Sequence, residues 1–193
     1  MLRSVLVVFH PCGWPDAAAR AAARCWRRRA ERALATVNGV DLLIGWGNGL
    51  RQDDGVGRAI AAAVEAWGLA SLAVIERTQL TPELAPQLAA ARRVLFVDAD
   101  AEAAVGASGW RLEPLLPPAS GPAEVFSHHA SAGGLLQLAE TLYGRRPPAW
   151  QLLVAVHGCG FGTRLTPATR ALLPEVLAAV RQWCGCIRGN SDA

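Results

Sequence analysis

The sequence predicts an α/β protein, a single three-layer domain in which a twisted, mostly parallel sheet lies between helices on both faces. Short apolar runs alternate with amphipathic segments along most of the chain, which is the pattern of parallel strands joined by helical crossovers. The apolar runs are rich in Leu, Ile and Val, as strands buried on both faces are. The 193 residues are 52% hydrophobic and 18% charged, which suits one domain with a full-sized core.

The elements follow in order from these patterns. Strands are predicted at residues 40–45, 72–76, 93–97, 110–112 and 150–156. Helices are predicted at residues 53–67, 81–91, 131–143 and 167–183. Asp53 or Asp54 is the expected N-cap of the first helix, and Thr81 followed by Pro82 is the expected start of the second. A Pro-rich loop is expected at residues 114–122.

The domain is expected to span residues 40–186, between an N-terminal extension at 1–39 and a tail at 187–193. Residues 1–38 carry seven arginines against two acids, whereas the remainder carries twelve arginines against fourteen acids. The mildly acidic core argues against a nucleic-acid partner. A predicted Arg-rich helix at 17–34 could contact a membrane surface or an acidic partner, but we favour a dispensable, poorly ordered extension or a mis-called start.

No apolar run reaches the roughly 18–20 residues of a membrane span, so a cytoplasmic protein is expected. The five cysteines show no zinc-ribbon or zinc-finger spacing. Cys184 and Cys186 could form a redox pair or part of a metal site, although free thiols in a reducing cytoplasm are the simpler interpretation.

Polar residues are predicted to converge at one edge of the sheet. In such sheets the site lies at the carboxyl ends of the strands. Three features fall there: the loop "GNGLRQDDGVG" at 47–57, Asp98 after the third strand, and the segment "SHHAS" at 127–131. Asp54, Asp98 and either His129 or His128 would supply two oxygens and one nitrogen, a set that suits a divalent transition metal with open positions.

Two rival interpretations of these segments are weaker. The glycines of 45–49 follow a strand as a dinucleotide fingerprint does, but its third glycine position falls on Leu50, and Asp53 and Asp54 would repel a pyrophosphate. Cys159 lies near His157 in "HGCGFG" and could be a nucleophile, but only a continuing strand would place the two side chains on one face.

Five motifs occur in order along residues 41–183: "GNGLRQDDGVG", "QLTPELA", "VDAD", "HHASAGGLL" and "FGTRLTP". With these motifs the chain resembles the nickel-iron hydrogenase maturation endopeptidases. The resemblance implies a single α/β domain that removes a short C-terminal peptide from the precursor of the hydrogenase large subunit after nickel insertion. It also implies that Asp54, Asp98 and His129 are the catalytic and metal-contacting residues, with His129 preferred to His128 for its spacing to the following helix.

The nickel is expected to arrive in the substrate rather than as a resident cofactor, and the protein is expected to act as a monomer. Asn48, Asp53, Gln79 and His128 are the expected substrate-positioning residues, although Asn48 and Gln79 could instead stabilise turns. The alternative function is a non-cleaving, nickel-dependent binding or chaperone module for the large subunit.

Three departures from the family pattern bear on these expectations. Ala132 replaces a common Pro, and the segment before the last helix lacks an acid that relatives often carry. Some relatives have Glu where this chain has Asp54, whose shorter side chain would bring a metal closer to the backbone.

Overall fold

The protein is described by a computed structural model that covers residues 39–101, 108–116 and 131–185. All but the last residue of the predicted extension, the whole predicted tail, most of the predicted Pro-rich loop, and both His128 and His129 lie outside these residues. Among the described residues, no helix is long and apolar enough to cross a membrane.

The strands form one five-stranded sheet in the order β2-β1-β3-β5-β4. They are β1 (Asp41–Trp46), β2 (Leu72–Arg77), β3 (Arg93–Asp100), β4 (Trp110–Pro114) and β5 (Ala149–Ala155). β4 runs antiparallel to β5 at one edge, and the other pairings are parallel. The predicted mostly parallel sheet is therefore confirmed.

Four α-helices of the described residues connect or follow these strands. They are α1 (Val56–Glu65), α2 (Ala85–Ala90), α3 (Ala132–Tyr143) and α4 (Pro167–Gly185). Two short 3₁₀ turns, Gln52–Gly55 and Pro82–Leu84, precede α1 and α2. Ser131 caps α3, since its side chain accepts a hydrogen bond from the Gly134 amide at 3.0 Å.

Alternate residues of β1 point into two separate apolar layers. Leu42 and Ile44 pack with Leu88 of α2 and Leu136 of α3, whereas Leu43 packs on the other face. That second layer is filled from α1 and α4 by Ile60, Val64, Val176 and Val180. Because successive strand residues face opposite sides, this run must be apolar throughout. The predicted three-layer domain is confirmed.

The first helix starts later than predicted, because the chain makes a 3₁₀ turn before α1. Neither Asp53 nor Asp54 is its N-cap: that position belongs to Gly55, which offers no side chain. Thr81 precedes the Pro82–Leu84 turn in an extended conformation but makes no capping hydrogen bond. β3 is also longer than predicted, so Asp98 lies within the strand and not after it. Capping preferences were outweighed by tertiary packing at these positions.

Candidate functional site

The order of the strands locates a crevice beside β1. The chain leaves β1 for β2 on one side and then returns to place β3 on the other side. In open α/β sheets, a point where the strand order reverses in this way is where ligands bind, at the carboxyl ends of the strands. We call this end of the sheet the carboxyl edge. The loop after β1 and the end of β3 both lie there.

The glycines of the loop after β1 let it pack tightly against the sheet. Gly47 has φ +133°, and a side chain there would overlap the carbonyl oxygen of Asp54. A Cβ on Gly57 would lie 2.5 Å from the carbonyl oxygen of Val97 in β3. The 3₁₀ turn and the first turn of α1 can therefore approach both β1 and β3, which brings Asp54 toward Asp98.

Asp54 is half-buried in this turn. Its Oδ2 accepts a hydrogen bond from the backbone amide of Asn48 at 3.2 Å. The Asn48 side chain accepts from the Leu50 amide at 3.0 Å. Asn48 therefore stabilises the turn, which is one of the two roles predicted for it.

Asp98 is also half-buried, and it interacts electrostatically with Asp54. Burial raises the pKa of Asp98, the hydrogen bond from the Ala99 amide opposes this rise, and the charges of Asp54 and Asp100 add to it, so that the pKa is about 7. That amide donates to Oδ1 of Asp98 at 2.8 Å. The structure thus brings two of the three predicted site residues together.

The third predicted ligand, His129, and its neighbour His128 lie outside the described residues. Within the described part of the chain, no three His, Cys, Asp or Glu side chains form a group that could hold a metal. Two carboxylates and an imidazole remain a donor set that fits a divalent transition metal. Gln79, the other predicted positioning residue, is exposed in the loop after β2.

Asp53, predicted as a helix cap and a substrate-positioning residue, has a different position. Its side chain is fully buried. It accepts five hydrogen bonds: from the amides of His157, Gly158 and Thr166, and from the hydroxyls of Thr166 and Thr169, at 2.7–3.0 Å. Burial alone would raise its pKa, but these hydrogen bonds outweigh that effect and lower the pKa below its usual value. Asp53 therefore fastens the segment after β5 to the segment that carries Asp54.

Gln52 makes a second connection between the same two segments. It adopts φ +45°, which is rare for a residue with a side chain. Its Oε1 accepts a hydrogen bond from the Gly160 amide at 3.1 Å. A Cβ on Gly158, Gly160 or Gly162 would lie 3.0–3.3 Å from the Gln52 side chain. The alternating glycines of "HGCGFG" thus make room for Gln52, a role that sequence reasoning missed because it depends on residues more than 100 positions apart.

The structure argues against Cys159 as a nucleophile activated by His157. β5 ends at Ala155, so residues 157–159 do not continue a strand that would place both side chains on one face. Both residues are exposed, and the His157 amide is used to bind Asp53.

Known structures with similar folds support this architecture. The hydrogenase maturating endopeptidase HybD from E. coli matches with a TM-score of 0.56 at 20% identity, over 73% of this chain and 89% of that protein. The [NiFe] hydrogenase maturation protease HybD from Thermococcus kodakarensis matches with a TM-score of 0.54 at 16% identity, over 75% and 98%. HycI of the same archaeon matches with a TM-score of 0.55 at 15% identity, over 74% and 90%.

No protein-family model matches the chain, and none of the curated proteins does. The likeness is therefore one of structure at low sequence identity. It extends over most of the length of each of these three proteins, and it confirms the fold that the five sequence motifs implied. The chain has the fold of the hydrogenase maturation endopeptidases.

Proposed function

We propose that this protein is an endopeptidase that removes a C-terminal peptide from the nickel-loaded precursor of a hydrogenase large subunit. The observation that carries the proposal is the placement of Asp54 and Asp98 beside one another at the strand-order reversal. The fold shared with the hydrogenase maturation endopeptidases adds support. The protein is proposed to act in the cytoplasm as a monomer.

The proposed metal contacts are supported by the negative charges of Asp54 and Asp98. No arginine or histidine of the described residues forms an ion pair with Asp54 or Asp98. A divalent cation between the two carboxylates would relieve their repulsion. Asp54, Asp98 and His129 are proposed to contact the nickel that the substrate carries.

Nickel brought by the substrate would make cleavage depend on the metal. A precursor without nickel would lack the ligation energy that these three side chains provide, so it would dock more weakly. The nickel ion can polarise a carbonyl group or activate a water molecule for hydrolysis. The protein would thereby test each precursor for its metal before cleaving it.

The test is to incubate the purified protein with the large-subunit precursor encoded in the same genome, with and without inserted nickel. Mass spectrometry should show loss of a C-terminal peptide from the nickel-loaded precursor only. Asp54→Ala, Asp98→Ala and His129→Ala should each abolish this loss, and abolition by His128→Ala but not by His129→Ala would move the proposed contact to His128. A stable complex without mass loss would favour the non-cleaving binding module and would refute the peptidase.

A further inference from the structure

Two apolar side chains are exposed at the carboxyl edge, on the segments that Gln52 and Asp53 connect. Phe161 is 93% exposed and Leu50 is 56% exposed. Two arginines, Arg51 and Arg164, are exposed beside them in the chain. We call these four residues the apolar-basic ridge.

The backbone of the ridge is held in place by hydrogen bonds. The Gln52 amide donates to the Gly162 carbonyl at 2.8 Å, and the Gly162 amide donates to the Leu50 carbonyl at 2.9 Å. These bonds form a parallel bridge between Arg51 and Gly162. The segment that carries Phe161 is also bound by Gln52 and Asp53 on either side of it. A surface fixed in this way loses less conformational entropy when a partner binds.

The ridge has a composition typical of a protein-binding surface. Aromatic residues and arginine are enriched at the centres of protein interfaces. An exposed aromatic ring on a fixed backbone therefore indicates a protein-binding surface more strongly than an isolated exposed leucine does.

The charge of the ridge indicates the kind of partner that would complement it. No acidic residue occurs between positions 157 and 170, a stretch that contains Arg164 and Arg170. Among the described residues, Arg51, Arg164 and Arg170 form no ion pairs. Of the two acids in residues 50–54, Asp53 is buried and used in hydrogen bonds, and Asp54 is assigned to the proposed metal contact. A partner with acidic and apolar side chains would complement this surface.

The ridge is also continuous with the candidate metal-contacting site. Arg51 lies three residues before Asp54, and the backbone of the intervening turn is shared by both. We infer that the apolar-basic ridge docks an acidic and apolar segment of the hydrogenase large-subunit precursor and so positions its cleavage site beside Asp54. This inference rests on the proposed function.

The kinetic test compares Phe161→Ala and Arg164→Glu with matched substitutions at the opposite edge of the sheet. Tyr143→Ala and Arg145→Glu are suitable controls, because both side chains are exposed where α3 leads into the start of β5. Each ridge substitution should raise KM for the nickel-loaded precursor by about tenfold or more and leave kcat nearly unchanged. The controls should match the wild type. Equal KM values in all four variants would refute the proposed docking role of the ridge.

A binding measurement separates the ridge from the proposed cleavage. The exposed thiol of Cys159 lies on the same segment, so bound precursor should slow its alkylation, with the half-buried Cys184 as an internal reference. Protection that Phe161→Ala abolishes, in the absence of any cleavage by the wild type, would support the ridge and refute the peptidase. Failure of the precursor to protect Cys159 would refute docking at the ridge. A wild-type homodimer that Phe161→Ala dissociates would also refute it, because the ridge would then bind a second copy of this chain.

Discussion

The two edges of the sheet use carboxylates in opposite ways. At the amino edge, Asp41 is buried and paired with Arg92 at 2.8 Å and with Arg93 at 3.0 Å. At the carboxyl edge, Asp54 and Asp98 interact electrostatically, and no arginine or histidine of the described chain forms an ion pair with either. Asp41 thus stabilises the fold, whereas the two carboxylates beside the strand-order reversal have no cationic ion-pair partner among the described residues, which is compatible with the proposed metal contact.

The amino-edge cluster continues into the last helix. The Arg93 guanidinium lies 4.0 Å from the ring centre of Trp183 and donates a hydrogen bond to the Trp183 carbonyl at 2.6 Å. This contact joins the start of β3 to the end of α4, and a cation near the C-terminal carbonyls of a helix is favourable. The cluster is therefore part of the structural framework, on the side away from the candidate site.

The largest effect on stability should come from breaking the amino-edge cluster. Asp41→Asn would leave Arg93 with an unpaired charge, and breaking a buried ion pair costs about 3–5 kcal/mol. In a chain of this length we expect the melting temperature to fall by roughly 10 °C. Thermal unfolding followed by circular dichroism measures this, and Glu113→Gln on the exposed edge strand is the control. An unchanged melting temperature would show that the cluster is not structural.

An intermediate effect on stability is expected at Asp53. This residue is buried, as Asp41 is, but it lies at the carboxyl edge beside Asp54. Asp53→Asn removes the charge that its five donors bind, which should cost on the order of 2–3 kcal/mol. Amide hydrogen exchange in residues 157–166 should accelerate, because the segment loses its main attachment. Asp54→Asn, one residue away, is the matched control and should leave exchange in that segment unchanged.

Low pH should destabilise the wild type in the same way as Asp53→Asn, because protonation removes the charge of Asp53. The folded protein lowers the pKa of Asp53, so its stabilising contribution is complete above the pKa of the unfolded chain. That contribution is lost as the pH falls through the lower, folded pKa. Denaturant titrations over the acid range should therefore show a steeper loss of stability in the wild type than in Asp53→Asn, and parallel curves would contradict this assignment.

The smallest effect, and one of opposite sign, is expected at Asp98 in the metal-free protein. Folding raises the pKa of Asp98 to about 7, so its ionised form is disfavoured in the folded state. This destabilisation appears as the pH rises above the unfolded pKa and is complete above about pH 7. Asp98→Asn should therefore melt a few degrees higher than the wild type at pH 8 and show no such gain near pH 4. A lower melting temperature at pH 8 would mean that the carboxylate is structural, like Asp41.

The sequence was most informative where local patterns and burial agree. The run from Leu42 to Ile44 is apolar at every position because both faces of β1 are covered, and its identification as a strand needed no knowledge of its neighbours. The sequence also predicts that Asp98 lies near the candidate site, since the carboxyl ends of parallel strands lie at one edge of the sheet. Strand order and the antiparallel direction of β4 could not be derived in this way, because they depend on which strands pair.

The different roles of Asp53 and Asp54 could not be predicted from the sequence. Both are acids after glycines and before a helix, so either one suited an N-cap or a site residue. The structure separates them through long-range contacts, since Thr166 and Thr169, more than 100 residues away, bind the Asp53 carboxylate, whereas Asp54 interacts electrostatically with Asp98 of β3. Gln52 and the alternating glycines after β5 belong to the same class of long-range contact.

The sequence by itself determined the α/β class, the three layers and the edge at which the acids gather, because these follow from periodicity and from the direction of parallel strands. Only the tertiary structure decided which acid is buried as an attachment and which is left beside Asp98. The reason is physical: the state of a carboxylate depends on the donors and charges within a few ångströms of it, and here they come from segments that only the folded chain brings together.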